Sequence, residues 1–496
     1  PLTPAELRQQ RLNRLRSYYA AGSTYGTPSS FVAWELASSM RFKDLPDLLW
    51  LTMIGVTDAY LQARLGTAGY AQLAMKLQDT TVKLFPPTDI TERAGQTVYA
   101  EELLLTGNSN NNNSNAQTKI TFSEQGRIIT QTDYKFFLLR QFSLYDSMIC
   151  SPYVSTQLQL WTKPGMQRLQ ELLARMGFPL TECQQPYKFM KPSMKRRFQE
   201  QVGQHAEEFD LDELQFTSFF RVNGFSSLVS ASDTAYAVNA LLECPLANSA
   251  STITNTDNTN HPHQNQQNRK SNHNMQQDWD LDCFHNAYDA LGPISEAQKH
   301  KLKLGINFAM NLQKMILQTA VSLVTRNAIT RLRHFRYAYV TCSSNSGGAG
   351  PGEVLHTAVS QDTTGTGKNA QYHVLAKPLA LTRLAHYLMD MHRANGKWVG
   401  ENKTRPLVLL AEQPMQNSYL IVGYEMQEQA GYLTTKNKFG QHFALVAQTL
   451  NGPVTNDDEE KAAVARLDSF DAHVVEVAAT HAQRFLEQLH YLMDQV

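Results

Sequence analysis

The apolar positions early in the chain fall at helical spacing. In "YGTPSSFVAWELASSM" a Gly-Pro turn precedes a run in which Val32, Leu36 and Met40 recur at i, i+4 and i+8, the spacing of one helix face. "DLPDLLWLTMIGVTD" follows and is apolar nearly all round. That pattern predicts a buried helix with Asp44 as N-cap and Pro46 in the first turn. Ahead of both, "LRQQRLNRLRSYY" sets Leu7, Leu12 and Leu15 against Arg8, Arg11, Arg14 and Arg16, a basic amphipathic helix. From Ser151 to about Asn327 the texture is mostly helical. "GMQRLQELLARMG" places Met166, Leu169, Leu173 and Met176 on one face and closes at Gly177, a helix-ending glycine. "SDTAYAVNALLE" and "LDCFHNAYDAL" predict shorter helices, and "SEAQKHKLKLGINFAMNLQKMILQTAVSLVTRN" one long helix capped by its serine. After Arg331 the period changes. "FRYAYVTC", "RPLVLLAEQP", "SYLIVGYE" and "DAHVVEVAAT" read as strands. "PLALTRLAHYLMDMH", "GQHFALVAQTL" and "AQRFLEQLHYLMDQ" read as helices between and after them. Such alternation predicts an α/β domain there, with the whole chain α+β.

Four stretches interrupt this pattern: "NSNNNNSN", the Asn- and His-rich run from Asn248 to Gln277, "SSNSGGAGPG" and "QDTTGTGKNAQ". They lack the large apolar residues that offset ordering entropy, so they read as inserted loops. The 496 residues suffice for several domains and a large core. Lysine plus arginine equals aspartate plus glutamate at 45 each. No global charge therefore draws the chain to nucleic acid or membrane, and any such contact must be local. No apolar run reaches the roughly 18 residues of a membrane span, and no signal peptide is visible. The five cysteines, Cys150, Cys183, Cys244, Cys283 and Cys342, are odd in number and never spaced C-x-x-C. That argues against a disulfide framework or a zinc ribbon and for a reducing compartment.

Local candidates for chemistry are few. "KPSMKRRF" gathers Lys191, Lys195, Arg196 and Arg197; "RNAITRLRHFRY" gathers Arg326, Arg331, Arg333 and Arg336 around Phe335 and Tyr337. Cations interleaved with aromatics suit single-stranded nucleic acid, whereas cations alone equally suit a solvated helix end. If "FRYAYVTC" is a strand, Phe335 and Tyr337 share one face and Arg336 takes the other. Arg331 and Arg333 are then the better phosphate contacts. "GTGKNAQ" lacks the spacing of a phosphate loop, and no G-x-S-x-G elbow occurs. His261, His263 and His273 lie in the polar insert and form no defined ligand set. No cofactor is called for. "NGFSSLVSASDTAYAVNALL" serves equally as core or as a partner surface.

"YGTPSSFVAWELASSMRFKDLPDLLWLTMIGVTDAYLQ" resembles the matching stretch of the cell division control protein 45 family. The resemblance continues through "FFLLRQFSLYDSM", "LQLWTKPGMQRLQELLARMGFPL", "FFRVNGFSSLVSASDTAYAVNALLE" and "FHNAYDAL" to "NKFGQHFALVA" and "FDAHVVEV". It covers nearly the whole chain outside the Asn-rich inserts. It implies a relative of the DHH phosphoesterases, which include RecJ-type nucleases, with the start of the DHH domain lying before Pro1. Residues 1–150 would then be the remainder of that domain, 151–327 a helical inter-domain region, and 328–496 a DHH-associated α/β domain. It also implies a nuclear, non-catalytic subunit of the CMG helicase, needed to initiate and sustain DNA replication. Its partners would be the Mcm hexamer, GINS, replication-initiation factors and DNA polymerase epsilon; the basic clusters themselves, through Lys195, Arg196, Arg197, Arg331 and Arg333, add single-stranded DNA as a further candidate. The competing implication is a metal-dependent exonuclease with its catalytic half upstream. A two-metal site needs several Asp and His ligands. Only Asp58 stands where such nucleases place one, so it reads as a remnant or a polar helix end. In "KFGQHFALVA", Gly440 and His442 match the nucleic-acid stretch of DHH-associated domains. Phe439 stands where a second glycine is expected and would hinder backbone approach to a phosphate. His442 then reads as a partly buried structural histidine.

Overall fold

The computed structural model describes residues 3–20, 22–23, 25–40, 45–85, 126–222, 228–244, 281–340, 374–396, 398, 405–413, 416–425, 437–452 and 464–495. The four polar or Gly-rich stretches, Asp44, Cys342 and the histidines of the Asn-rich run lie outside them. The chain folds into two compact units, one of residues 25–244 and 283–310, the other of residues 1–24, 245–282 and 311–496.

The first unit is mainly helical around a three-stranded antiparallel sheet, β1 (Ile128–Tyr134), β2 (Gln215–Val222) and β3 (Leu228–Ser230), in that order. Register runs from Ile128 opposite Arg221 to Tyr134 opposite Gln215. β2 lies inside the stretch read as helical. Its centre, Phe219 and Phe220, is buried on both faces, so no alternation betrays it. The Pro46–Leu61 helix is buried as its composition predicts, with Leu49, Trp50, Met53, Ile54 and Val56 in the core. It starts at Pro46 with Leu45 as N-cap and no side-chain cap, which displaces Asp44 from that role. Proline needs no capped N–H at the first helical position.

The Ser29–Ser39 helix forms where the period places it, and the structure decides which face is covered. Val32, Leu36 and Met40 are not its buried face; they are 52%, 63% and 62% exposed. The opposite face packs instead, through Phe31 and Trp34. Close approach to Pro46–Leu61 is made possible by Gly55, where a Cβ would stand 2.3 Å from Ser30 Oγ. Further on, Ser143, Ser151, Thr162 and Ser230 each accept a backbone N–H at a helix start, satisfying donors the helix cannot. Lys163–Arg175 ends with Gly177 at φ +75°, as its sequence predicts. "SASDTAYAVNALLE" proves to be core: Ala231, Ala235, Ala237, Ala240 and Leu241 are buried.

The second unit carries a six-stranded sheet in the order β4 (Thr330–Arg331), β5 (Arg336–Val340), β6 (Leu407–Gln413), β7 (Ser418–Tyr424), β9 (Val474–Ala478), β8 (Ala465–Leu467). β5 and β6 are parallel and the other pairs antiparallel. The parallel pair needs a long crossover, and the Pro378–Ala394 helix lies within it. Helices Phe439–Asn451 and Ala482–Asp494 bury Phe443, Val446, Phe485 and Leu489 with sheet residues Val408, Leu410, Ile421 and Val475 in one core. The four predicted strands and three predicted helices are found here, whereas the short β4 and β8 lie outside the sequence expectation. Among the described residues, no helix is long and apolar enough to cross a membrane. The described cysteines are buried and in no disulfide; burial pushes the Cys183 thiol up to about 11.

Candidate functional site

Asp58 stands in the last turn of its helix, where its backbone carbonyl accepts the Gln62 N–H. It sits within Pro46–Leu61, half-buried, facing the Ala231–Glu243 helix. Asn239 Nδ2 donates to its Oδ1 at 2.6 Å. A hydrogen bond to a carboxylate is stronger than a neutral one, and its loss strands the surviving partner. Among the described residues no group of three His, Cys, Asp or Glu side chains is placed to hold a metal ion. The chemistry of Asp58 here is helix-to-helix attachment. Asp58→Ala is expected to lower unfolding free energy by about 1–3 kcal/mol. In a double-mutant cycle with Asn239→Ala the two losses should not add. Neither the parent nor the variant should cleave end-labelled single-stranded DNA with manganese. Additive losses would break the pairing argument, and parent cleavage absent from the variant would restore the ligand reading.

The Gly440–His442 stretch opens the Phe439–Asn451 helix. Here the structure corrects the sequence argument. Phe439 does not obstruct an open glycine; it is buried, packed on Phe443 and over Gly423 of β7, where a Cβ would meet its Cγ at 2.3 Å. Gly440 is demanded by packing, since its Cβ would stand 2.9 Å from that of Ala472. His442 is half-buried, and its Nδ1 lies buried with no hydrogen-bond partner. Burial, then the nearby Lys438, lower its pKa, so the ring is held neutral.

The basic residues of Lys191–Arg197 belong to the first unit, at the start of the Pro192–His205 helix. Lys191 reaches Glu182 at 3.7 Å and Lys195 lies 4.4 Å over the Tyr187 ring. Arg196 and Arg197 are exposed, with Arg197 folded across Gly177. Shortly before them in the chain, Phe189 is 67% exposed, with Lys188 Nζ 4.8 Å from its ring. This open aromatic was missed from sequence, although "YKF" directly precedes the basic run.

Arg331 and Arg333 belong to the second unit and do not act alike. Arg333 Nη1 donates to Asp494 Oδ1 at 2.8 Å, which His334 Nε2 also approaches at 2.9 Å. These two neighbours hold the Asp494 carboxyl below its usual range. Phe335 is fully buried in the sheet core and Tyr337 packs against that core. Phe335 therefore has no face for a base, contrary to the role the sequence allowed it. Arg336 does take the opposite face, but it is buried. Its Nη1 donates to the Arg405 carbonyl at 2.6 Å and its guanidinium carbon lies 3.9 Å from the Trp398 ring centroid. His392 stacks on the same indole at 4.1 Å and 10°. Groups at 3.9 and 4.1 Å from one indole leave no room for each other on a single face, so they cover opposite ones. Trp398 and His392 carried no sequence signal, because their pairing spans a helix end and a loop.

The CDC45 family model matches residues 3–492. Cell division control protein 45 homolog of Schizosaccharomyces pombe is 27% identical across 98% of this chain and 68% of its own length. That of Dictyostelium discoideum is 27% identical across 95% and 62%. Human cell division control protein 45 homolog is 24% identical across 95% and 66%. The chain thus spans about two-thirds of the length of these relatives. The crystal structure of CDC45 from Entamoeba histolytica shares the fold at a TM-score of 0.57 and 20% identity, over 95% of this chain and 73% of that one.

Proposed function

Because the chain belongs to the CDC45 family, we propose that it serves DNA replication as a non-catalytic subunit of the nuclear CMG helicase, joining the Mcm hexamer to GINS. The observation that carries this reading is the family match from residue 3 to residue 492. The commitment of Asp58 to Asn239 supports the non-catalytic part. Replication-initiation factors and DNA polymerase epsilon are the further partners of such a subunit. Tagged protein incubated with S-phase nuclear extract should retain Mcm and GINS subunits together. Retention of neither by folded bait sinks the helicase assignment.

Single-stranded DNA fits the first basic cluster best, where Lys195, Arg196 and Arg197 follow closely in sequence on an exposed aromatic, Phe189, that carries Lys188 over its ring. Phosphates pair with the cations and a base stacks on the ring. For single strands, log K falls with log salt by about 0.7 per phosphate contact. Arg196→Ala with Arg197→Ala should flatten that slope by about 1–1.5, equally for poly-dT and a mixed sequence. Fluorescence anisotropy across a salt series measures it; an unchanged slope removes the cluster from any DNA surface.

A further inference from the structure

The Pro4–Ala20 helix is built by local devices. Its start is a capping box: Thr3 Oγ1 accepts the Glu6 N–H at 3.4 Å, and Glu6 Oε2 accepts the Thr3 N–H at 2.7 Å. Pro4 takes the first helical position, where no N–H is needed. Leucine, arginine and glutamine, all good helix formers, fill much of the rest. Just beyond the helix, Ser23 and Asn437 exchange backbone hydrogen bonds at 2.8 and 2.9 Å, which fixes its exit to the second unit. Yet every side chain from Glu6 to Leu15 is exposed. Helices draw most of their stability from a packed face, and between these residues this one packs none.

Helical geometry decides what the open faces present. At about 100° per residue, Leu7, Leu12 and Leu15 do not oppose Arg8, Arg11 and Arg14, contrary to the opposed faces expected from sequence. All six fall within an arc of about 160°, while the neutral Gln9, Gln10, Asn13 and Ser17 occupy the other side. Arg8, Arg11 and Arg14 form one i, i+3 row, and Leu12 and Leu15 start the row beside it. Among the described residues no carboxylate pairs with these three arginines. The helix's own acid, Glu6, is engaged in the capping box and lies on the neutral side.

We propose that this face docks an acidic amphipathic helix of a protein partner, with its carboxylate row along Arg8, Arg11 and Arg14 and its apolar row against Leu12 and Leu15. Adjacent rows of this kind are what one helix offers to the grooves of another, and charges beside a leucine seam set partner and register. Charge separates the occupants. A second copy of this chain would set arginine against arginine. A helix lying on lipid carries its cations on the face opposite its leucines, and here they share one. Nucleic acid would pair with the arginines but leave the leucines against a sugar-phosphate backbone, which has no apolar surface to cover them. An acidic helix satisfies both rows. The proposal does not rest on the helicase assignment.

A fluorescein-labelled helical peptide with glutamates in one i, i+3 row and leucines in the next tests it, by anisotropy on the full chain. Two control peptides carry glutamine for the glutamates or serine for the leucines. The acidic peptide should bind about tenfold or more tighter than either control, the scale of three exposed ion pairs or two covered leucines. Arg8→Gln with Arg11→Gln keeps helix propensity and should weaken it about fivefold or more. Both arginines are exposed, so the thermal midpoint should not fall. A lysine-for-glutamate peptide should prefer Arg8→Glu with Arg11→Glu over the parent protein. Equal binding of the three peptides overturns the proposal. So does binding that survives the serine control, which is unspecific charge attraction, or a lysine peptide that shows no preference for the reversed variant. Poly-dT or duplex DNA that displaces the acidic peptide, and itself loses affinity in Arg8→Gln with Arg11→Gln, would also overturn it and assign the helix to nucleic acid.

Discussion

Phe335→Ala should cost about 3–5 kcal/mol of unfolding free energy while leaving the DNA affinity of the folded fraction intact. The ring is fully buried, in one core with Val408, Leu410, Phe443 and Phe485. Truncation removes its transfer free energy and leaves a cavity that the sheet, pinned by its ladders, cannot close. Phe335→Leu keeps most of the volume and should lose far less, about 1.5 kcal/mol or under. A base-stacking role predicts the reverse: a DNA loss of about 1–3 kcal/mol and a small stability change. Urea denaturation followed by circular dichroism, set beside anisotropy on poly-dT, separates the two. A stability loss under 1 kcal/mol would show that Phe335 is not where the structure puts it.

That contrast also marks how far the residues could be read. "FRYAYVTC" declares a strand through its branched and aromatic run, and β5 is found there. The same string cannot say which face is covered. It is the Phe439–Asn451 and Ala482–Asp494 helices, contributed from far along the chain, that bury the Phe335 face. Likewise the 3.6-residue period of Val32, Leu36 and Met40 gives a helix correctly but does not say which face is covered. The choice was made by the packing notch at Gly55 and the weight of Phe31 and Trp34. β2 stayed hidden for a different reason: a strand buried on both sides loses its alternation and, at this length, resembles a piece of buried helix. Asp58 was legible as an isolated carboxylate, since ligands come in clusters and the sequence offered none nearby. Its partner Asn239 was not, because nothing in "AYAVNALL" marks one asparagine as facing another helix. The Arg336–Trp398–His392 stack lay out of reach altogether, being assembled from three separate segments.

Gly423→Val should destabilise the parent by about 1–3 kcal/mol, yet be neutral or stabilising once Phe439 is cut to alanine. Gly423 lies in β7, hydrogen-bonded through its N–H to the His473 carbonyl. Strand interiors favour valine over glycine, by up to about 1 kcal/mol, so propensity alone predicts a gain. Space decides otherwise. A Cβ on residue 423 would stand 2.3 Å from Phe439 Cγ and 2.7 Å from its Cβ, so the ring must leave its seat or the helix must shift. Neither is easy. Asn437 ties the two elements together: its side-chain amide donates to the Gly423 carbonyl at 3.2 Å, and its Oδ1 accepts the Phe439 N–H at 2.9 Å. Overpacking of this kind costs about 1–3 kcal/mol. Phe439→Ala alone should cost about 3–5 kcal/mol by leaving a cavity. In that background the valine side chain enters vacated space, and its strand preference is no longer opposed. The coupling between the two positions should therefore be favourable and exceed about 1 kcal/mol. Chemical denaturation of the four proteins in the cycle measures it. Simple additivity would mean that Phe439 does not lie over Gly423. The aromatic at that position would then be free to face outward beside Gly440, where the sequence alone had placed it.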